Sequence, residues 1–225
     1  MAIDGGSKPL LFSHDKIPWP LPLSSNLTTA SNETKQLPNE PNNLLSNPHP
    51  NLSAVWTSIS SFCSLTNAVT EKGGPQITEE QFLHNMTSIT YTLLHQHFKT
   101  STVNEAYRLA LLAFSAPVFI HWNRVELFSQ SFTSALREAL VGLELGEHGY
   151  SLTPREYTWL LMVCALSMAH EPDGMAWLRP RLRRKMHLCH VFTWDKMRRL
   201  LSSFLWIGLV YDKSGRDVFD SALAQ

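Results

Sequence analysis

The chain has 225 residues, 44% hydrophobic and 10% aromatic, with 19 basic and 19 acidic side chains and a formal net charge of zero. That is enough apolar material for a real core, which excludes a wholly disordered protein. The neutrality excludes a nucleic-acid coat or a membrane-surface binder working through whole-chain charge.

The start, Met1-Ala-Ile-Asp-Gly-Gly, lacks the charged and apolar regions of a secretory signal. Without that route, the Asn-x-Ser/Thr sequons at Asn26, Asn32, Asn51 and Asn85 carry no meaning. Residues 1–51 are rich in Pro, Asn and Ser. Pro18, Pro20, Pro22, Pro38, Pro41, Pro48 and Pro50 each remove a backbone donor and fix φ, so a disordered N-terminal tail is expected. Leu10-Leu-Phe12 and Ile17-Pro-Trp19 read there as incidental apolar residues, with a short docking motif as the alternative.

From residue 52 the apolar period becomes helical. Val55, Ile59, Phe62 and Thr66 predict a first helix, ended by Gly73-Gly-Pro75. Thr78 and Gln81 form a capping box, with Ile77 and Phe82 at the staple positions. Phe82, Met86, Ile89 and Leu93 then make one apolar stripe. Thr102 and Glu105 predict a second capping box before Ala106, Leu109, Ala110 and Ala113, and Pro117 is expected to end or kink that helix. An amphipathic helix follows from Ser131 to Leu145, with Gly146 placed to close it.

Thr153-Pro154-Arg155-Glu156 combines an N-cap, an N1 proline and an N3 glutamate. It opens a buried helix reaching Met168, after which Pro172-Asp-Gly174 reads as a turn. Leu178, Leu182, Met186 and Cys189 line one side of the next helix. Thr193 caps a last long helix carrying Trp194, Met197, Leu201, Phe204 and Leu205, and Lys213-Ser-Gly215 turns into a short terminal helix. No segment alternates with the period of a strand, and there is no internal repeat. The expected fold is therefore all-α, an irregular helical bundle of about seven to nine helices over residues 52–225. The apolar runs Leu109–Trp122, Tyr157–Ala169 and Leu200–Tyr211 fall short of the roughly 20 residues of a membrane span and are expected in a soluble core.

Several of these segments resemble the fungal-specific transcription-factor domain that follows the six-cysteine zinc cluster in many fungal regulators. They are Trp177-Leu-Arg-Pro-Arg-Leu182, Trp194 opening a helix, Leu201-Ser-Ser-Phe-Leu-Trp206, Asp212-Lys-Ser-Gly215 and Val218-Phe219. Upstream, Asn104 to Phe114 is similar to the family's small-residue helix that crosses the core, and Tyr157-Thr-Trp159-Leu-Leu-Met to its central buried helix. The resemblance covers residues 52 to 223. It implies a non-enzymatic regulatory domain of transcription in the nucleus, responding to a small effector or a transcription-related protein partner, as a homo- or hetero-dimer. The cytoplasm is the other compartment the chain admits.

The family's cysteine cluster has no counterpart here. Cys63, Cys164 and Cys189 are far apart and odd in number, which excludes a disulfide framework and a four-cysteine zinc ribbon and suits a reduced compartment. Sequence-specific DNA reading by this chain is therefore not expected. A fragment of a longer zinc-cluster protein, a cluster-less relative and an incompletely read gene product all remain open. Two alternatives stand beside the effector domain: a cluster-less partner that titrates full-length relatives, and a small helical enzyme with an unrecognised site.

Arg179, Arg181, Arg183, Arg184 and Lys185 form the densest charge run, a candidate patch for an anionic partner or for nuclear import; the simpler reading is a solvated helix face. His187, Cys189 and His190, with Cys164 elsewhere, have irregular spacing for zinc, and no metal or other cofactor is expected. His170-Glu-Pro-Asp-Gly174 offers a histidine and two carboxylates but reads more simply as a turn, and no catalytic residue is assigned. Of the seven tryptophans, Trp159, Trp177 and Trp206 are candidates for the aromatic wall of a ligand cavity, and Trp194 opens a helix.

Overall fold

A computed structural model describes residues 48–72, 79–100, 102–120, 130–144, 152–168 and 172–224. Among the described residues there are eight helices and no strand, the all-α architecture expected. Residues 1–47 of the expected disordered tail, the Gly73-Gly-Pro75 stop, the Thr78 cap with Ile77, the Gly146 stop and the pair His170–Glu171 lie outside the described residues, whereas Pro50 and Asn51, expected in the tail, already belong to the first helix.

Helix α1 (Pro50–Lys72) begins on a proline, which suits a first turn because its missing donor would find no helical partner. Its start is tied to the third helix by the His49 backbone N–H, which donates to Asn104 Oδ1 at 3.0 Å. Leu52, Val55, Trp56, Ile59, Phe62 and Cys63 form its buried face. Helix α2 (Glu79–His95) lays its stripe against this face: Met86, Ile89 and Leu93 are buried, and the Phe62 and Phe82 rings meet at 5.7 Å.

Helices α3 (Val103–Ile120) and α5 (Pro154–Ser167) occupy the centre. Ala106 to Ala116 are buried without interruption in α3, and Glu156 to Ala165 in α5. A helix apolar on every side must be surrounded. Helix α4 (Gln130–Glu144) covers both, burying Thr133, Leu136, Ala139 and Leu140. Helix α5 carries the full capping box: Glu156 N–H donates to Thr153 Oγ1 at 3.2 Å and Thr153 N–H to Glu156 Oε2 at 2.8 Å. Its Glu156 is buried, and its other oxygen accepts from the Tyr107 hydroxyl at 3.3 Å.

The remaining helices, α6 (Pro172–Leu188), α7 (Trp194–Ser202) and α8 (Gly208–Leu223), pack on α5. A left-handed His190 (φ 53°) closes α6, and the Val191 N–H bonds back to the Met186 carbonyl at 2.9 Å, a Schellman-type end. The Thr193 side chain caps α7 through the Lys196 N–H, as its position predicts.

Four local expectations are corrected, and the choice at Pro117 between an end and a kink is narrowed. Glu105 N–H does donate to Thr102 Oγ1 at 3.3 Å, but the Glu105 carboxylate pairs with Arg108 instead of closing the capping box. Helix α3 continues past Pro117 to Ile120. The proline removes the donor that would meet the Ala113 carbonyl, and the next carbonyl along, that of Phe114, accepts the Tyr211 hydroxyl. Pro172-Asp-Gly174 is the first turn of α6 and not a separate turn, because a proline at N1 and an aspartate in the first turn suit a helix start as well as they suit a turn. Helix α7 stops at Ser202, so Phe204 and Leu205 belong to a buried connector running to Ile207. Lys213 to Gly215 lie inside α8, whose 16 residues make it anything but short.

Candidate functional site

The last correction has a steric cause. A Cβ at Gly215 would lie 2.8 and 2.9 Å from the Trp206 ring and 3.1 Å from that of Trp194. The glycine is there so that two indoles can press on α8, and no turn is needed. Trp206 is held on every side. Its Nε1–H donates to Asp212 Oδ1 at 2.8 Å, while Arg198 Nε–H donates to Asp212 Oδ2 at 2.8 Å. Its carbonyl accepts from Asn67 Nδ2 at 2.8 Å, and the same amide's Oδ1 accepts from the Gly208 N–H at 3.1 Å.

From Trp206 an aromatic chain runs inward: Trp206 to Tyr211 at 5.2 Å, Tyr211 to Phe114 at 5.0 Å, Phe114 to Trp159 at 6.4 Å. Gly215→Ala is expected to destabilise the protein by about 1–3 kcal/mol through overpacking, reversing the gain of about 1 kcal/mol that alanine brings to an ordinary helix interior. Thermal melting checks the sign; a raised Tm would contradict the contact.

The three cavity candidates therefore part company. Trp159 and Trp206 sit in one continuous packed cluster, with Trp159 touching Trp56, Phe114 and Phe204 and donating Nε1–H to the Leu205 carbonyl at 2.9 Å. Trp177 stands elsewhere, on the α4–α6 contact, with the Arg181 and Arg137 guanidiniums 4.6 and 5.0 Å from its ring centre.

The basic run is likewise divided. Arg181 pairs with Glu144 at 3.0 Å, stacks on Trp177 and donates to the Trp177 carbonyl. Lys185 lies 4.5 Å from the Tyr157 ring centre. The Nε of Arg179 is buried without a hydrogen-bond partner. Arg184 is exposed and Arg183 half-buried, and among the described residues neither forms an ion pair. Two of the five cations thus hold α6 to its neighbours, and the run is no uniform outward patch.

What the charge pattern missed is apolar. Leu188 and Phe192 are exposed beside this run, at 56% and 47%. A signal for Leu188 exists in the sequence: two residues after Met186, it falls opposite the buried stripe. For Phe192, which precedes the N-cap of α7, there was none.

The cysteines have separate surroundings. Cys164 donates its thiol to Met168 Sδ at 3.7 Å, and Cys189 Sγ lies 3.6 Å from Thr158 Oγ1. The His187 ring meets Phe192 at 5.2 Å. No three His, Cys, Asp or Glu side chains gather as a metal-holding group among the described residues. Burial pushes the Cys63 thiol up to about 12, only partly opposed by a hydrogen bond from the Trp206 backbone. Burial also raises the Tyr157 and Tyr211 phenols, with Glu144 adding to the effect at Tyr157.

These shifts set an alkaline limit. An unfolded thiol ionises at about pH 8.5, where folded Cys63 still holds its proton. The folded state then binds more protons than the unfolded one, and stability falls as pH rises, by up to about 1.4 kcal/mol per pH unit for each such group. Urea midpoints should decline steadily from pH 8.5 to pH 11, with the phenols joining above about pH 10. A midpoint that holds or climbs over that range would contradict these burials.

Fold and site together define a packed all-helical domain whose distinctive surface lies at the α6–α7 turn. No protein-family model, curated protein or solved structure matches this chain. Among the described residues no helix is long and apolar enough to cross a membrane.

Proposed function

We propose that this chain is a non-enzymatic regulatory and interaction module of transcription. It resembles the effector domain of fungal zinc-cluster transcription factors and acts in the nucleus; these 225 residues themselves hold no six-cysteine cluster. The observation that carries this reading is the interlocking of the residues on which the resemblance rests. Trp194 and Trp206 press on Gly215, Asp212 joins Trp206 to Arg198, and Phe219 meets Trp194 at 6.0 Å. Residues so dependent on one another make a fold signature, which supports a shared architecture more than a coincidence of tryptophans and leucines. They are packing residues, so they support the fold, and the interaction role is carried over from it by analogy.

Fusing the full chain to a heterologous DNA-binding domain in a fungal cell tests this. Expression of a reporter carrying the matching sites should change several-fold. An unchanged reporter, with the fusion present in the nucleus and bound at its sites, would overturn the proposal.

A further inference from the structure

We infer that the turn joining α6 to α7 is a docking surface for an acidic, amphipathic helix of a protein partner; this rests on the reading of the chain as an interaction module and names the chemistry of what it binds. Between Gly174 and Tyr211 the sequence holds eight lysines and arginines and a single carboxylate, Asp195, in a chain whose total charge is zero. This segment is therefore strongly basic. Arg181, Lys185 and Arg198 are engaged by Glu144, Tyr157 and Asp212. Among the described residues Arg184 and Lys196 are exposed and form no ion pair.

Between these two cations in the sequence lie the exposed Leu188 and Phe192. Arg184 and Leu188 are one helical turn apart on α6, and Lys196 stands in the first turn of α7. The backbone that presents them is fixed by the left-handed His190, the Val191–Met186 hydrogen bond and the Thr193 cap. A preorganised surface loses little entropy on binding.

The combination selects the partner. A phosphate backbone would use the cations and leave Leu188 and Phe192 with nothing to cover them. An anionic membrane would use both, but two apolar side chains give little insertion. A helix with an apolar stripe at i, i+3/i+4 and i+7 flanked by aspartate and glutamate covers the leucine and phenylalanine. It also places carboxylates toward Arg184 and Lys196.

The test uses the purified full chain and a fluorescein-labelled helical peptide carrying Leu and Phe at that spacing with Glu between them. Anisotropy should report saturable binding that weakens as salt rises. Leu188→Ala/Phe192→Ala should weaken it about tenfold, and Arg184→Glu/Lys196→Glu at least as much. Both double variants alter exposed side chains, so their melting curves should match the parent. The peptide with Glu→Gln throughout, and the peptide with Leu and Phe replaced by Ser, should each bind poorly. Affinity unchanged in either double variant would overturn the proposal. So would tighter binding to a DNA duplex or to phosphatidylserine vesicles that the Leu188→Ala/Phe192→Ala pair leaves intact. The reporter assay separates the two levels. Peptide binding with a silent reporter removes the transcriptional reading alone; a responsive reporter with no peptide binding removes the docking surface alone.

Discussion

Trp159→Ala is expected to cost about 3–5 kcal/mol, the range for deleting a fully buried large aromatic, out of a total stability of about 5–15 kcal/mol for an ordinary domain. Trp159 has no exposed surface and its ring is met by α1, α3 and the α7–α8 connector through Trp56, Phe114 and Phe204. Those segments are far apart in sequence, so the cavity would open where chain parts converge and cannot close by a local shift. The substitution also leaves the Leu205 carbonyl, now bonded at 2.9 Å, without its donor. Trp159→Phe isolates that second loss and should cost about 1–3 kcal/mol for the unpaired carbonyl, plus the smaller missing volume. Urea denaturation measures both. A loss under about 1 kcal/mol for alanine would be surface behaviour and would contradict the central place of this ring.

The second large effect lies at the α2–α3 junction. Arg108 holds Glu105 through two hydrogen bonds of 2.8 and 2.6 Å, and its third nitrogen donates to the Leu93 carbonyl at 3.0 Å. The pair's side chains are only 10% and 12% exposed. Removing one partner strands a charge, so Arg108→Met is expected to destabilise by about 3 kcal/mol or more. Replacing both partners removes the charge together with its counter-charge. Glu105→Leu/Arg108→Leu should therefore be less destabilised than Arg108→Met alone, although the Leu93 carbonyl keeps its loss in both. A double variant weaker than the single would show that the two side chains act independently.

How far these features could be read in the sequence depended on whether their causes are local. The Thr153–Glu156 box lies within four residues, and each partner that makes it is visible in the sequence. The Phe82, Met86, Ile89 and Leu93 stripe is equally local, since a period needs no partner to be seen. Gly215 failed as a turn because its reason is the indole of Trp206, which stands just before the start of α8 at Gly208. Glu105 looked like the second half of a capping box until Arg108, one turn along, outbid the backbone amide for its carboxylate. In the basic run, helical spacing gave the face of each arginine but not the carboxylate opposite. The partner of Arg181 is Glu144, 37 residues upstream on another helix. Leu188 was readable as an exposed residue, while its meaning arises only with Phe192 across the turn.

The resemblance to a regulatory domain rests on packing residues, so the decisive measurement must read partners and location directly. Tagged full-length chain expressed at native level, isolated from nuclear and cytoplasmic extracts, should be found in the nucleus with a transcription regulator bound in near-equal amount. Exclusion from the nucleus, together with recovery of no transcriptional partner, would contradict it.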